Sequence, residues 1–145
     1  MGFEKILKIS VSGLNANRAW MTTVAANLAN MNTTRTDDGQ PYRRRTVIFE
    51  STPVEEDNFS AVLKREEEDL DKVRVADIVP DGRNFREVYD PSHPDADDKG
   101  IVRFPNINPV EEMVNLLEAS RAYEANLTVL DTTKQMALRA LELGK

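Results

Sequence analysis

Ser92, His93 and the aspartates Asp90, Asp95, Asp97 and Asp98 fall within the eleven residues from Asp90 to Gly100. On paper these side chains could supply a nucleophile, a base and an orienting carboxylate. A triad, however, needs its groups delivered from separate elements so that they converge, and a contiguous loop with Pro91 and Pro94 spreads them apart. Read as a calcium loop, the segment puts Asp95 and Asp97 at the first and third ligand positions and Gly100 at the sixth. Lys99 then occupies the fifth, and Asn106 stands where a bidentate glutamate belongs, so a turn capped by aspartate side chains is the expected use. His93 is the one histidine and there is no cysteine, which excludes disulfides, thiolate metal sites, thiol nucleophiles and histidine pairs. Arg43, Arg44 and Arg45 could grip a phosphate. Strand alternation would turn Arg44 away from the other two, which favours solvated or salt-bridged arginines. No catalytic residue, metal ligand or cofactor is expected, and the chain does not read as an enzyme.

The elements that carry these residues divide the chain in three. Its 145 residues, 40% hydrophobic, 30% charged and 6% aromatic, suit one domain or one small domain with appendages. The net charge of −6 is uneven: residues 1–36 carry +3, residues 37–100 carry −8 and residues 101–145 carry −1. An acidic middle between nearly neutral ends offers no cationic face to nucleic acid. No stretch reaches the roughly 18 apolar residues that a membrane span requires. In Met1 to Leu14, Glu4, Ser10, Ser12 and Gly13 interrupt any apolar run, so a cleavable Sec-type signal is not expected there.

From Phe3 to about Met31, Leu7, Leu14, Met21 and Leu28 recur every seven residues, with Val11 and Ala25 four places after the first and third. This is a helical seam of period 3.5, with Arg18 in its matching place. At the other end, Asn108-Pro109-Val110-Glu111 reads as an N-cap, a proline at the first helical position and an acid in the first turn. Met113, Leu116, Ser120, Tyr123, Leu127, Leu130, Lys134, Ala137 and Leu141 then step by threes and fours, and Gly144 marks the stop. A helix of about 34 residues, near 50 Å at 1.5 Å per residue, outgrows any core that the rest of the chain could supply. Something else must cover it: the other terminal helix, and copies of this chain or its relatives. Trp20 and Tyr123 are expected to pack in these seams.

Between the helices the period changes. Tyr42 to Phe49, Val73 to Val79, Phe85 to Tyr89 and Ile101 to Phe104 are β-branched or aromatic runs separated by turn residues, as expected of a small antiparallel β unit. The acidic run Glu66 to Asp71 reads as a solvated loop or hairpin tip. The expected fold is α+β. Residues 1–36 and 107–145 form an antiparallel, coiled-coil-like helix pair, and residues 37–106 form an inserted β-rich domain.

Asn27, Asn30 and Asn32 crowd the end of the first helix beside Thr33, Thr34 and Thr36. Amides donate and accept without the cost of desolvating a charge, so they suit interfaces that need a fixed register; the alternative use is a polar, frayed helix end capped by asparagine. Ala26-Asn27-Leu28-Ala29-Asn30-Met31-Asn32-Thr33 resembles the A-N-x-A-N-x-N-T motif of the axial proteins of the bacterial flagellum, the rod and hook subunits. Gly39 to Arg44, Tyr89 to Val102, and Glu112-Met113-Val114 through Ser120 to Asn126 are together similar to the proximal rod subunits of that family.

The resemblance implies that the terminal helices pair into a layer lining the rod, with the β-rich insertion facing outward. It implies a structural subunit that assembles with copies of itself and other rod subunits into a helical drive shaft, transmitting torque and enclosing the export channel. Motor ring and rod-adaptor proteins, and the type III export apparatus during secretion, are the further partners implied. The implied location is the periplasmic rod of the basal body, reached unfolded and without a cleavable signal. Neither nucleic acid nor direct membrane insertion is expected. The candidate assembly residues are Leu7, Val11, Leu14, Met21, Ala25, Asn27, Leu28, Asn30, Asn32, Met113, Leu116, Tyr123, Asn126, Leu127, Leu130, Ala137 and Leu141.

Overall fold

The computed structural model describes residues 2–54 and 71–143. Two long helices bracket four strands: α1 (Gly2–Ala29), β1 (Arg45–Pro53), β2 (Asp71–Pro80), β3 (Arg86–Tyr89), β4 (Ile101–Phe104) and α2 (Pro109–Leu143). The class is α+β. Of the acidic run, Asp71 opens β2, and Glu66 to Leu70 lie outside the described residues.

The ends of the helices follow local chemistry. Asn108 caps α2: its Oδ1 accepts the Val110 N–H at 3.0 Å, and its carbonyl accepts the Glu112 N–H at 3.0 Å. Pro109 sits where no N–H is needed, and Glu111 and Glu112 face the positive end of the dipole. At 35 residues α2 is about 52 Å long, and the 28 residues of α1 make about 42 Å. The last turn of α1 unwinds through asparagine. Asn30 Nδ2 donates to the Ala26 carbonyl at 2.9 Å, and Asn30 Oδ1 accepts the Thr33 hydroxyl at 3.2 Å.

The strands form two separate antiparallel ribbons rather than one sheet, β1 with β2 and β3 with β4. The first runs from Arg45 opposite Pro80 to Pro53 opposite Asp71. It carries one irregularity, where Ile48 pairs with Asp77 and Phe49 with Val75, leaving Ala76 without a partner. A two-stranded ribbon is marginal by itself, and this one rests on α1. Trp20 meets Phe49 edge-on with ring centroids 5.9 Å apart. Ser12 Oγ accepts the Val73 N–H at 3.2 Å while donating to the Ile9 carbonyl at 2.7 Å. Outward, Arg74 and Glu50 pair at 2.7 Å.

Sequence alternation placed Tyr42 to Arg44 in the first strand. They precede it: the Tyr42 hydroxyl and the Arg44 guanidinium are taken up at the helix ends, and Arg43 by the carbonyls of Asp81 and Arg83. The loop joining β3 to β4 is the serine, histidine and aspartate segment. Asp90 accepts both the N–H and the hydroxyl of Ser92, at 3.1 and 2.6 Å, and Asp97 accepts the N–H groups of Lys99 and Ile101, each at 2.9 Å. These bonds hold both carboxyls below the ordinary aspartate range, chiefly through the Ser92 hydroxyl for Asp90 and the Ile101 amide for Asp97. Gly100 closes the loop at φ +74°, and a Cβ there would lie 3.0 Å from Pro91 Cβ and from Tyr89.

Candidate assembly surface and its buried junction

Asn27 is fully buried, and each of its polar atoms is used twice. Its Nδ2 donates to the Arg45 carbonyl and to Glu112 Oε2, both at 2.9 Å. Its Oδ1 accepts the Arg45 N–H at 2.9 Å and the Tyr42 hydroxyl at 3.2 Å. One amide therefore ties the end of α1 to the first residue of β1 and to the first turn of α2. A short hydroxyl has one proton to give, whereas the amide makes two donations and two acceptances here without bringing a charge into the interior.

Glu112 is also fully buried. Its second oxygen receives Arg44 Nε at 2.6 Å, so the carboxylate is compensated on both sides, as a buried charge requires. Arg44 reaches further, to Asp81 at 3.4 Å and Glu111 at 3.8 Å. Arg83 closes the ring on Asp81 at 2.8 Å and on Glu111 at 3.7 Å. The Arg83 hydrogen bond holds the Asp81 carboxyl below its ordinary value. Burial, chiefly, pushes the Tyr42 phenol up. Arg43 goes elsewhere, donating to the carbonyls of Asp81 and Arg83, each at 3.2 Å, with its guanidinium 4.3 Å from the Phe85 ring centroid. Of the basic triplet, the Arg44 side chain and the Arg45 backbone thus fasten this junction, and Arg43 fastens the turn from Asp81 to Arg83.

Beyond the junction the helices meet through small residues. A Cβ on Gly13 would lie 2.7 Å from Asn126 Nδ2, so the missing side chain is what allows α1 and α2 to approach there. The buried positions are Ser10, Gly13, Ala16, Thr23, Val24 and Asn27 on α1, and Glu112, Ala119 and Thr133 on α2. Several lie one residue before the predicted seam: Gly13 before Leu14, Asn27 before Leu28, Glu112 before Met113 and Thr133 before Lys134. Of the candidate assembly residues, only Asn27 is buried. Leu7, Leu14, Met21, Leu28, Asn30, Leu116, Tyr123, Asn126, Leu130 and Ala137 are half-buried, and Val11, Ala25, Asn32, Met113, Leu127 and Leu141 are exposed. The start of α2 bares a further apolar cluster, Val110, Val114 and Leu117. Arg44, Tyr42, Glu112 and Gly13 are junction and seam residues that sequence reasoning did not select. The small residues recurring at Gly13, Ala16 and Ala119 were the available signal for the seam.

The segment from Asp90 to Gly100 brings no reactive groups together. Ser92 donates to Asp90 rather than to His93, His93 Nδ1 accepts the Asp95 N–H at 3.1 Å, and the imidazole packs edge-on to Phe104. Asp95 instead accepts the Thr34 hydroxyl at 2.7 Å, fastening the loop to the segment after α1. Among the described residues no cluster of three or more His, Asp or Glu is placed to hold a metal, and no helix is long and apolar enough to cross a membrane.

Comparison with known proteins bears on both helices. Residues 7–35 match the family described as Flagella basal body rod protein, and residues 98–143 match Flagellar basal body rod FlgEFG protein C-terminal. The flagellar basal-body rod protein FlgC of Bacillus subtilis is 42% identical over 147 aligned residues, with 96% of each chain covered. The chain belongs to the FlgC family of flagellar basal-body rod proteins. The Aquifex aeolicus FlgC is 42% identical, covering 100% of this chain and 99% of its own, and the Salmonella typhimurium FlgC is 37% identical over the full length of both. Membership makes the chain a structural subunit of the flagellar basal body. The two family matches span all of α2 and all but the first turn or so of α1, so the family's terminal segments are the helices whose apolar stripes lie bare.

Proposed function

We propose that this FlgC-family chain is a proximal rod subunit that assembles through residues 1–36 and 107–145, with residues 37–106 facing outward as a separate β-rich part. The terminal helices act as an antiparallel, coiled-coil-like pair; Gly13 against Asn126 and Asn27 against Glu112 support this, because position advances along one helix as it recedes along the other. The observation that carries the reading is the uncovered stripe on each helix. Val11 is 44% exposed, Met113 50% and Leu117 59%. Covering such a half-exposed residue contributes roughly half of the 1.5 to 3 kcal/mol of a full burial, and a helix by itself is marginal in water.

Other copies of this chain and other rod subunits cover the stripes, through the candidate residues from Leu7 to Asn32 and from Met113 to Leu141. Contacts between unlike faces do not close on themselves and so build a helical shaft. That shaft transmits torque, encloses the export channel and meets ring and rod-adaptor proteins on its outside. The chain reaches it unfolded through the export apparatus, and its helices gain full order on docking, outward from the Asn27 junction. The test is electron cryotomography of cells lacking the chain. Motor rings without rod, hook or filament are expected, and intact flagella would overturn the proposal.

A further inference from the structure

The inward line of each helix, buried or half-buried, and its bare stripe stand at the same angular offset. On α1, Gly13, Trp20 and Asn27 repeat every seven residues, and Arg18 and Ala25 follow Gly13 and Trp20 by five, with Val11 seven residues before Arg18. On α2, Glu112, Ala119 and Asn126 form the line, and Leu117, Glu124 and Asp131 follow by five. At 3.5 residues per turn, five residues are about 150° round the helix. For two helices running in opposite directions, these offsets carry the stripes to opposite flanks of the pair. Leu14, Met21 and Leu28 border one flank, and Met113 and Leu127 the other.

The α1 flank sets one charge between Val11 and Ala25, whereas the α2 flank mixes Leu117 with the acids Glu124 and Asp131, with Arg121 beside them. Arg18 is the one charged residue in the α1 stripe between Val11 and Ala25. Glu124 follows Leu117 in the α2 stripe. Both side chains are exposed, and among the described residues neither has an ion-pair partner in its own chain. A cation on one flank and acids on the other are complementary between copies.

We propose that a second copy of this chain docks its α2 flank on the α1 flank of the first, with Arg18 of one copy paired to Glu124 of the next. This deepens the rod reading and rests on it. Copies that point the same way keep α1 antiparallel to the neighbouring α2. Arg18 opposite Glu124 then sets Leu14 near Leu127, Ala25 near Leu117, and Leu28 near Met113 and Val114, which covers Val114 and Leu117 of the bare cluster at the start of α2, while Val11 comes near Asp131. The other acid of the stripe, Asp131, would set Ala25 against Glu124 and leave Leu117 uncovered. An ion pair inside an apolar seam sets register more than affinity. Because the two flanks differ, each copy keeps one free for the next.

The chain has no cysteine, so introduced thiols report on this contact alone. The full-length chain carrying both Arg18→Cys and Glu124→Cys replaces the natural one in its flagellated host, and isolated basal bodies are oxidised. A non-reducing gel should show dimers and larger ladders, while either single variant, and Arg18→Cys with Asp131→Cys, stay monomeric. Monomers alone from cells that swim and carry rods would overturn the register with the rod reading intact, as would cross-linking of 18 to 131 in preference. Basal bodies with complete rods that lack the chain altogether would remove the rod reading itself. Arg18→Glu or Glu124→Arg alone should lower the number of rod-bearing basal bodies at least about tenfold, since like charges facing across a contact are strongly disfavoured. Both together should restore it to within about twofold. Equal loss in the single and double reversals refutes the pair.

Discussion

Replacing Asn27 by alanine removes four hydrogen bonds at once and leaves their partners inside the protein. The Glu112 carboxylate loses a donor at 2.9 Å, the Arg45 N–H and carbonyl lose theirs at 2.9 Å, and the Tyr42 hydroxyl loses an acceptor at 3.2 Å. A bond to a charged group is worth about 1.5 to 3 kcal/mol and a neutral one about 1, with water entering the gap recovering part of it. The expected loss is about 3 to 5 kcal/mol, a large share of the 5 to 15 kcal/mol that typically holds a domain together. Trp20 is the one tryptophan and touches Phe49, so its fluorescence during urea unfolding reports whether α1 is docked on the first ribbon. The midpoint should fall with the slope unchanged.

Asn27→Asp separates hydrogen bonding from volume. It keeps the shape but turns the donor toward Glu112 into a second carboxylate. At neutral pH it should cost more than Asn27→Ala, and the deficit should shrink on acidification as the introduced carboxyl takes up a proton. A loss under about 1 kcal/mol for Asn27→Ala, or an Asn27→Asp variant milder than Asn27→Ala, would refute the account of the junction.

At Gly13 two effects oppose each other. Alanine gains up to about 1 kcal/mol of helix propensity but drives Cβ into Asn126, so Gly13→Ala should stabilise only in an Asn126→Ala background, which a double-mutant cycle in urea measures. Both Gly100 and Gly39 have positive φ, at 74° and 72°, but only at Gly100 would a Cβ meet neighbours. Gly100→Ala should therefore lower the thermal midpoint more than Gly39→Ala, and equal shifts would contradict the tight closure on Pro91. Because Arg83 lowers the Asp81 pKa in the folded chain, the unfolded chain takes up the proton first as pH falls. The stability from this pair is full above the ordinary aspartate value of 3.8 and is lost as pH drops through the lower folded value. Asp81→Asn should flatten the acid limb of a stability–pH curve, and an unchanged limb would refute the pairing. His93→Ala, which removes the Phe104 contact but no reactive group, should leave swimming intact.

Elements governed by neighbours in sequence were legible in advance. The Asn108 cap, Pro109, the lengths of both helices and the strand β4 follow from local patterning, and they stand within a few residues of expectation. What was not legible depends on partners far along the chain. The basic triplet looked like strand surface because alternation is a local rule. Arg44 is held instead by Glu112, 68 residues away, and an ion pair of that separation leaves no trace in spacing. Likewise nothing local distinguishes Glu112 from Glu111, yet one is buried and the other exposed.

The one-residue offset between the predicted seam and the buried line has a physical reading. Periodicity finds the largest apolar residues, whereas two helices approach closely through the smallest ones, here Gly13, Ala16 and Ala119. A helix whose bulky stripe lies beside its small-residue line has two faces that can pack, one for its own partner and one to the side. For an isolated globular chain that second face is a liability, since contiguous exposed apolar surface invites association. In a rod subunit association is the purpose, and a charge such as Arg18 set into the stripe at one point restricts it to one register. Scanning Arg18 to alanine, lysine and glutamate therefore separates attraction from register. Lysine should preserve rods, alanine should give fewer or misassembled ones, and glutamate should abolish them. If alanine matched lysine, the stripe would be packing by apolar area alone, and the register would have to come from the asparagine junction.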